Sequence, residues 1–467
     1  MITKGNKTFP LGGIILIEKA DKYNFFSEVF KGLEGEMKNL IPLVKLHIYN
    51  RLTHSVSVHQ IQKVYPEEIM EFLKGDKVSE RTLYRTLERL GKFYPIVLDN
   101  YHRFLIKYNL VDKTQTIDFS SSYFEGENSD LGDHGYSRDK REDKLQVNFG
   151  ISTGINTIPI AITIQKGNVQ DKEHLRLMLQ IISKVIPKNS LLIFDAGANT
   201  KANKRKIRDL GYHYLTLRPK NTRTYKELVR EFNKKEKTEF ELNGKSYYCV
   251  KRRIDNQVFY IYFSEELCKL QIKKKEKRFE RDKRDGEKLL RKKAKRLPCN
   301  KGWVELIPKL QLSLDRVKNP YITGIEGYFI LESSIDEDPK KILKLYKERD
   351  KAEKFIKALK DGLELRPIRH WTKNSIIGIF LMCFFANFII NLTMNFEEIC
   401  RVEPNRTKIR QKNVKLLKKY LINLTVTIVY PKNAFKFHVI SNIPEFVERY
   451  FRDILLKFED KSLNLRW

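Results

Sequence analysis

The sequence predicts a mixed α/β fold that carries a β-rich insertion, a helical N-terminal unit and a small C-terminal unit. Three observations lead there. Between Thr114 and Leu217, runs of β-formers alternate with amphipathic helical segments. Beyond residue 222, Asn243-Gly244 and Asp255-Asn256 separate further β-rich runs, a hairpin signature. The first hundred residues show helical spacing. At 467 residues the chain exceeds the size at which one core keeps growing. We therefore divide it into 1–105 (basic, helical), 106–221 (first part of the α/β core), 222–330 (β-rich insertion with a basic arm), 331–400 (second part of the core) and 401–467 (C-terminal α/β unit).

In the first segment, Pro66 to Leu73 fits a short helix and Gly75-Asp76 a turn. Ser79 is placed to cap a second helix with Leu83, Leu87 and Leu90 at helical spacing. The pair suits a helix-turn-helix, with Arg81, Tyr84, Arg85 and Arg89 on the remaining faces, and Arg81 and Arg85 are its candidate DNA contacts. Two short amphipathic helices also occur in any α-rich unit.

The core segment reads as strands Thr114–Ser120, Leu145–Thr153 and Thr157–Gln165, a helix Lys172–Val185, a strand Leu191–Phe194 ending at Asp195, a helix near Lys201–Leu210 and a strand Tyr212–Leu217. In the insertion, Thr238–Leu242, Ser246–Arg252 and Val258–Ser264 read as a meander with its own small sheet. Lys269 to Arg296 then holds fifteen basic residues and five acidic ones, a solvated arm or a contact for DNA phosphate.

After a strand Gly327–Leu331, Asp336-Glu337-Asp338-Pro339 starts a helix expected to run to Asp361, with Gly362 to end it. The rest reads as an apolar helix over 376–392, a basic helix around Lys412–Tyr420, a hairpin of Leu424–Val429 and Phe435–Ile440, and a last helix near Pro444–Lys457.

Charge narrows the partners. Ninety Lys plus Arg face 58 Asp plus Glu, a formal net charge of +32. So basic a surface repels itself unless a polyanion neutralises it, which favours nucleic acid over an anionic membrane and disfavours a two-carboxylate glycosidase. Five cysteines without Cys-x-x-Cys spacing read as reduced thiols of a cytosolic protein. Leu11–Ile17 is too short to span a bilayer and precedes no small-residue cleavage site, so no signal peptide is expected. Asn387 and Asn391 interrupt the 376–392 run, which reads as a buried helix and not a membrane span.

Three acids stand out. Asp118 lies inside a strand run and Asp195 ends one; a carboxylate there is costly unless neutralised, and divalent cations select hard carboxylate oxygens. Asp118 taken alone is equally compatible with a hydrogen-bonded structural role. On the helix from Pro339, at about 100° per residue, Tyr346, Arg349, Glu353 and Lys360 fall within an arc roughly 60° wide. Leu345, Ala352, Ile356 and Leu359 occupy the adjoining arc and would anchor that face.

The spacing Tyr346, two residues, Arg349, three residues, Glu353, six residues, Lys360 resembles the Y-x2-R-x3-E-x6-K signature of bacterial and archaeal insertion-sequence DDE transposases. Thr116-Ile-Asp118-Phe-Ser-Ser-Ser-Tyr-Phe-Glu-Gly is similar to that group's first-Asp motif, and Gly135-Tyr-Ser-Arg-Asp to the segment after it. Gly167-Asn168 with Asp171, Phe194-Asp195-Ala-Gly-Ala and Arg366-Pro-Ile-Arg-His-Trp371 resemble its later motifs. The resemblance spans about Thr114 to Asn391.

It implies a ribonuclease-H-like mixed sheet, with the β-rich insertion between the second Asp and the Glu. It also implies catalytic and metal-ligating roles for Asp118, Asp195 and Glu353 with two Mg²⁺ ions, Mn²⁺ substituting, and DNA contacts from Tyr346, Arg349 and Lys360. The implied activity is cleavage of transposon ends and strand transfer into target DNA. The implied setting is double-stranded DNA, a homodimer in a synaptic complex, no membrane, and a cytoplasmic, nucleoid-associated location. A DNA-binding regulator and a ribonuclease-H-like nuclease without transposition are the alternatives.

Overall fold

The computed structural model describes residues 5–462 apart from 34, 36–38, 221, 285–318, 320, 396–413 and 433–434. The chain forms two compact units. The first comprises Met1–Leu192, Arg205–Tyr212 and Glu348–Trp467, the second Ile193–Lys204 and His213–Lys347.

The first unit is built around one helix, Lys373–Asn395. Apolar on every side, it is long and apolar enough to cross a membrane, yet 89% of its most apolar window is buried inside the fold. Helices Gly12–Asp21, Leu40–Leu52, Glu80–Lys92 and Tyr94–Lys107 pack on it. Phe25 and Tyr101 meet Phe385 and Phe388 mostly edge to face, at centroid distances of 5.1 to 5.5 Å.

Glycines let the Glu80–Lys92 and Lys373–Asn395 helices touch backbone to backbone. A Cβ on Gly91 would sit 1.8 Å from the Asn374 carbonyl oxygen, and one on Gly378 would sit 2.2 Å from that of Leu87. Glu88 fastens the same crossing, accepting from Thr372 Oγ1 at 2.5 Å, Ser375 Oγ at 2.6 Å and Asn374 Nδ2 at 2.9 Å.

Strand β1 (Lys7–Pro10) was not expected from the sequence. It pairs antiparallel with the much later Thr425–Val429, which pairs in turn with Phe437–Ser441, so the C-terminal hairpin gains a third strand from the other end of the chain. The final expected helix is two, Glu445–Tyr450 and Arg452–Ser462, separated at Phe451. Of the short helix expected over Pro66–Leu73, only Ile69–Phe72 is helical.

Strands β2 (Thr114–Tyr123), β3 (Gln146–Gly154) and β4 (Pro159–Lys166) form an antiparallel meander where the runs of β-formers predict strands. Asp118 lies opposite Ile151, itself opposite Ile162. The Asp171–Ile182 helix covers β3 and β4 with His174, Leu175, Met178, Leu179 and Ile182. Strand β5 (Leu191–Phe194) follows on the far side of β2, giving the order β4-β3-β2-β5.

In the second unit the order is β6 (His213–Leu217), β10 (Tyr328–Ser333), β9 (Gln257–Phe263), β8 (Lys245–Ile254) and β7 (Thr238–Leu242). The meander is therefore not a small sheet of its own. Val258 to Phe263 pair with Tyr328 to Ser333, and Leu331 to Ser333 with Leu215 to Leu217, so one antiparallel ladder leaves neither side of β10 unpaired. The Arg223–Phe232 helix packs Tyr225, Leu228, Val229 and Phe232 onto Val250, Phe259, Ile261 and Ile330. The Glu265–Arg284 helix carries the first part of the basic arm; residues 285–296 of the arm lie outside the described residues.

Candidate active site

The helix expected to run unbroken from Pro339 to Asp361 is three pieces. Pro339–Lys347 and Asp350–Lys357 are α-helical, and Ala358–Gly362 is a π turn closed by Leu363 N–H on the Ala358 carbonyl at 2.9 Å. At the first break, Lys351 N–H donates to Glu348 O at 2.9 Å, a tighter i→i−3 bond. Tyr346, Arg349, Glu353 and Lys360 consequently do not share one arc of one helix: Tyr346 belongs to the second unit and the other three to the first.

In the first unit, Arg349 joins two of the expected acids. Its Nη1 lies 3.5 Å from Asp118 Oδ1, and its Nη2 forms an ion pair with Glu353 Oε1. Asp118 comes from the middle of β2 and Glu353 from the Asp350–Lys357 helix, whose Ala352, Phe355 and Ile356 are buried. The strand and helix thus present their carboxylates to one guanidinium.

In the second unit, Asp195 directly follows β5, and its Oδ1 accepts from the Tyr346 hydroxyl at 3.4 Å. Thr216 Oγ1 donates to the Asp195 carbonyl at 3.3 Å, tying this residue to β6. Tyr346 and Asp195, singled out by separate motifs, are therefore neighbours.

Lys360 is buried, and its Nζ donates to Asp139 Oδ1 at 2.7 Å. Burial lowers the Lys360 pKa, opposed by the bond to Asp139. Arg366 Nη1 reaches the same Asp139 oxygen at 2.5 Å. The preceding residue, Arg138, holds both oxygens of Asp171 at 2.6 and 2.7 Å, and its N–H donates to Ser121 Oγ on β2.

Two glycines let these segments close: a Cβ on Gly135 would lie 1.9 Å from Gly167 O, and one on Gly167 would lie 2.1 Å from Gln146 O. Asn148 Nδ2 donates to the Gly167 and Val169 carbonyls at 2.9 and 2.8 Å. The Gly135–Asp139 segment, the Gly167–Asp171 turn, Lys360 and Arg366 thus form one polar network. Asp139, buried at its centre, was not singled out from the sequence, although it closes the Gly135-Tyr-Ser-Arg-Asp motif.

Arg81, Tyr84 and Arg85 are exposed on the Glu80–Lys92 helix, while Leu83, Leu87 and Leu90 are buried. Ser79 caps this helix as expected, accepting from Thr82 N–H at 3.2 Å.

Among the described residues, no group of three or more His, Cys, Asp or Glu side chains is placed as a ready cation cage. Asp118 and Glu353 share the Arg349 guanidinium, and carboxylate oxygens are the ligand type that a hard divalent cation selects.

Residues 113–391 match the family model described as the transposase DDE domain. The chain belongs to that family. No curated protein matches the sequence. Among solved structures, a piggyBac transposase synaptic complex with hairpin DNA is similar at a TM-score of 0.41 and 10% identity, over 98% of this chain and 87% of that one. As a member of the transposase DDE family, the chain carries its matched domain on both units described above.

Proposed function

We propose that the chain is a DNA transposase that cleaves transposon ends and transfers the freed 3′ strand into target DNA, with Asp118, Asp195 and Glu353 as its catalytic carboxylates. Family membership supports the general activity. The observation that carries the residue assignment is the shared guanidinium: Asp118 and Glu353, far apart in sequence, converge on Arg349.

Asp118, Asp195 and Glu353 would hold two Mg²⁺ ions, or Mn²⁺ in their place. When bound, such ions supply Lewis-acid activation of water or a 3′-hydroxyl and stabilise the leaving oxygen of an in-line displacement. The chain's own groups do the rest. The Tyr346 hydroxyl orients the Asp195 carboxylate, and Arg349 neutralises Asp118 and Glu353 until DNA or a cation replaces it. Arg349 grips a DNA phosphate by exchanging one anion for another, while Lys360, buried on Asp139, holds the Gly135–Asp139 segment. Arg81 and Arg85 add exposed positive charge for the duplex. Two ends must be held together, which calls for a homodimer on DNA, and the setting is the cytoplasm at the nucleoid.

The test is incubation of the full chain with labelled linear DNA carrying the sequences that flank its gene, with Mg²⁺ or Mn²⁺. Nicking that EDTA stops, and joining of 3′ ends to target DNA, are expected. Asp118→Ala, Asp195→Ala and Glu353→Ala should each abolish cleavage while DNA binding persists; cleavage surviving any one of them removes that residue from the set. Nicking without joining would favour a nuclease, and binding without nicking a regulator.

A further inference from the structure

A cavity of about 550 Å³ opens in the first unit, walled by the end of the Leu40–Leu52 helix, the Glu80–Lys92 helix and the chain from Glu364 to His370. Its charge is unbalanced. Arg51, only 6% exposed, donates Nη1 to the Leu363 and Glu364 carbonyls at 3.3 Å each, and no carboxylate pairs with it among the described residues. Lys418, with its side chain 8% exposed, donates to Ser55 Oγ in the wall at 2.7 Å. Its carboxylate neighbour is Glu364, at 3.8 Å and with its own side chain 57% exposed. Arg369, exposed at the rim, has no ion-pair partner among the described residues. Arg366, by contrast, is occupied by Asp139 and Asp361.

Arg51 and Arg369 in the lining thus have no carboxylate partner among the described residues, and Lys418 behind Ser55 has a solvated one. Burying cations without counter-charge is costly, and an anion entering the cavity would relieve that cost. The neighbouring groups register the same excess: burial, and after it the Arg51 charge, pushes His370 down to about 4, and burial with a further contribution from Arg51 pushes Lys418 down to about 8. Tyr84 and His370 bring their rings to 6.1 Å in the lining, and Trp371, 72% exposed, follows in the chain. Cations flanked by accessible rings suit a phosphate attached to a nucleoside better than a bare halide.

We propose that this cavity is a phosphate-binding pocket, with Arg51 and Arg369 as donors to the phosphate oxygens, and that its occupant is a backbone phosphate of bound DNA. The phosphate chemistry stands apart from the catalytic assignment. Only the DNA source rests on the proposed function.

The test uses the full chain in EDTA, so that cleavage plays no part. Binding of a fluorescein-labelled duplex is followed by anisotropy across a KCl series for the wild type, Arg369→Ala and Gln60→Glu, the last placing a negative charge at the exposed rim. In parallel, melting temperature is read with inorganic phosphate against chloride at matched ionic strength. Expected are a several-fold loss of DNA affinity in both variants, a fall of about 1 in the salt slope for Arg369→Ala, and stabilisation by phosphate in the wild type that Arg369→Ala lacks. Phosphate stabilisation with unchanged DNA binding would support the pocket and overturn DNA as its source. Weakened DNA binding without a phosphate response would overturn the pocket, leaving Arg369 as one surface cation among many; no response in either arm would overturn it outright. With cleavage removed from the readout by EDTA, neither arm depends on the catalytic assignment.

Discussion

The Arg349 guanidinium lies 3.5 Å from the Asp118 carboxylate, and its other nitrogen pairs with Glu353. One side chain therefore meets the charge of two acids on different elements, and any divalent cation drawn to them competes with it. In EDTA, Arg349→Met should lower the melting temperature modestly, since pairs this accessible contribute at most about 1 kcal/mol. Added Mg²⁺ should stabilise Arg349→Met more than the wild type, because no guanidinium has to leave. Equal Mg²⁺ responses in differential scanning fluorimetry would remove Arg349 from this role.

Asp139 is the counter-charge of buried Lys360 and also of Arg366. Asp139→Ala leaves an ammonium in the interior without its partner, a loss of about 3–5 kcal/mol. Urea unfolding should show this directly, and a shift below about 1 kcal/mol would mean that Lys360 finds water or another acceptor easily.

At the helix crossing, Gly91→Ala and Gly378→Ala each drive a methyl group into backbone carbonyl oxygen, at 1.8 and 2.2 Å. Because backbone cannot step aside as a flexible side chain does, each should cost about 1–3 kcal/mol or more. Gly5→Ala, with nothing within 4 Å of its added Cβ, is the control. Melting temperatures of all three variants within a degree of the wild type would contradict the close approach.

His47 and His174 are held neutral: burial pushes each down to about 3, in His47 against the opposing pull of its bond with Leu83 O. Their ordinary value of 6.5 applies once the chain unfolds. Between about pH 6.5 and 3 the unfolded state thus binds protons that the folded state refuses, so stability falls as the pH drops through that window, by up to about 1.4 kcal/mol per pH unit for each histidine. Denaturation midpoints measured from pH 7 to 4 should fall, and His174→Gln should flatten the curve. A midpoint independent of pH over that range would refute the assignment.

The strands around Asp118 were legible because β-branched and aromatic residues cluster in short runs with turn residues between them; β2 begins at Thr114 as read, and β3 and β4 differ from expectation by one or two residues at their starts. The neighbourhood of Arg349 was harder. Helical spacing extrapolated through Glu348 and Arg349 predicts a continuous rod, because both residues are good helix formers and nothing local marks the break. Arg349 there reaches Asp118 across the fold, a contact no window of sequence contains. Asp139 escaped for the same reason: its partners Lys360 and Arg366 lie far along the chain. Strand β1, four residues long, carries too little pattern to announce itself, and its partner strand is known only from the fold.

The pairing of Lys7–Pro10 with Thr425–Val429 also sets an order of events during synthesis. Lys7–Pro10 waits, with both edges open, until its far later partner has been made. A ribosome halted midway would release a fragment in which this strand lacks its partner, an opening for chaperones or proteases that pairing narrows to a single edge.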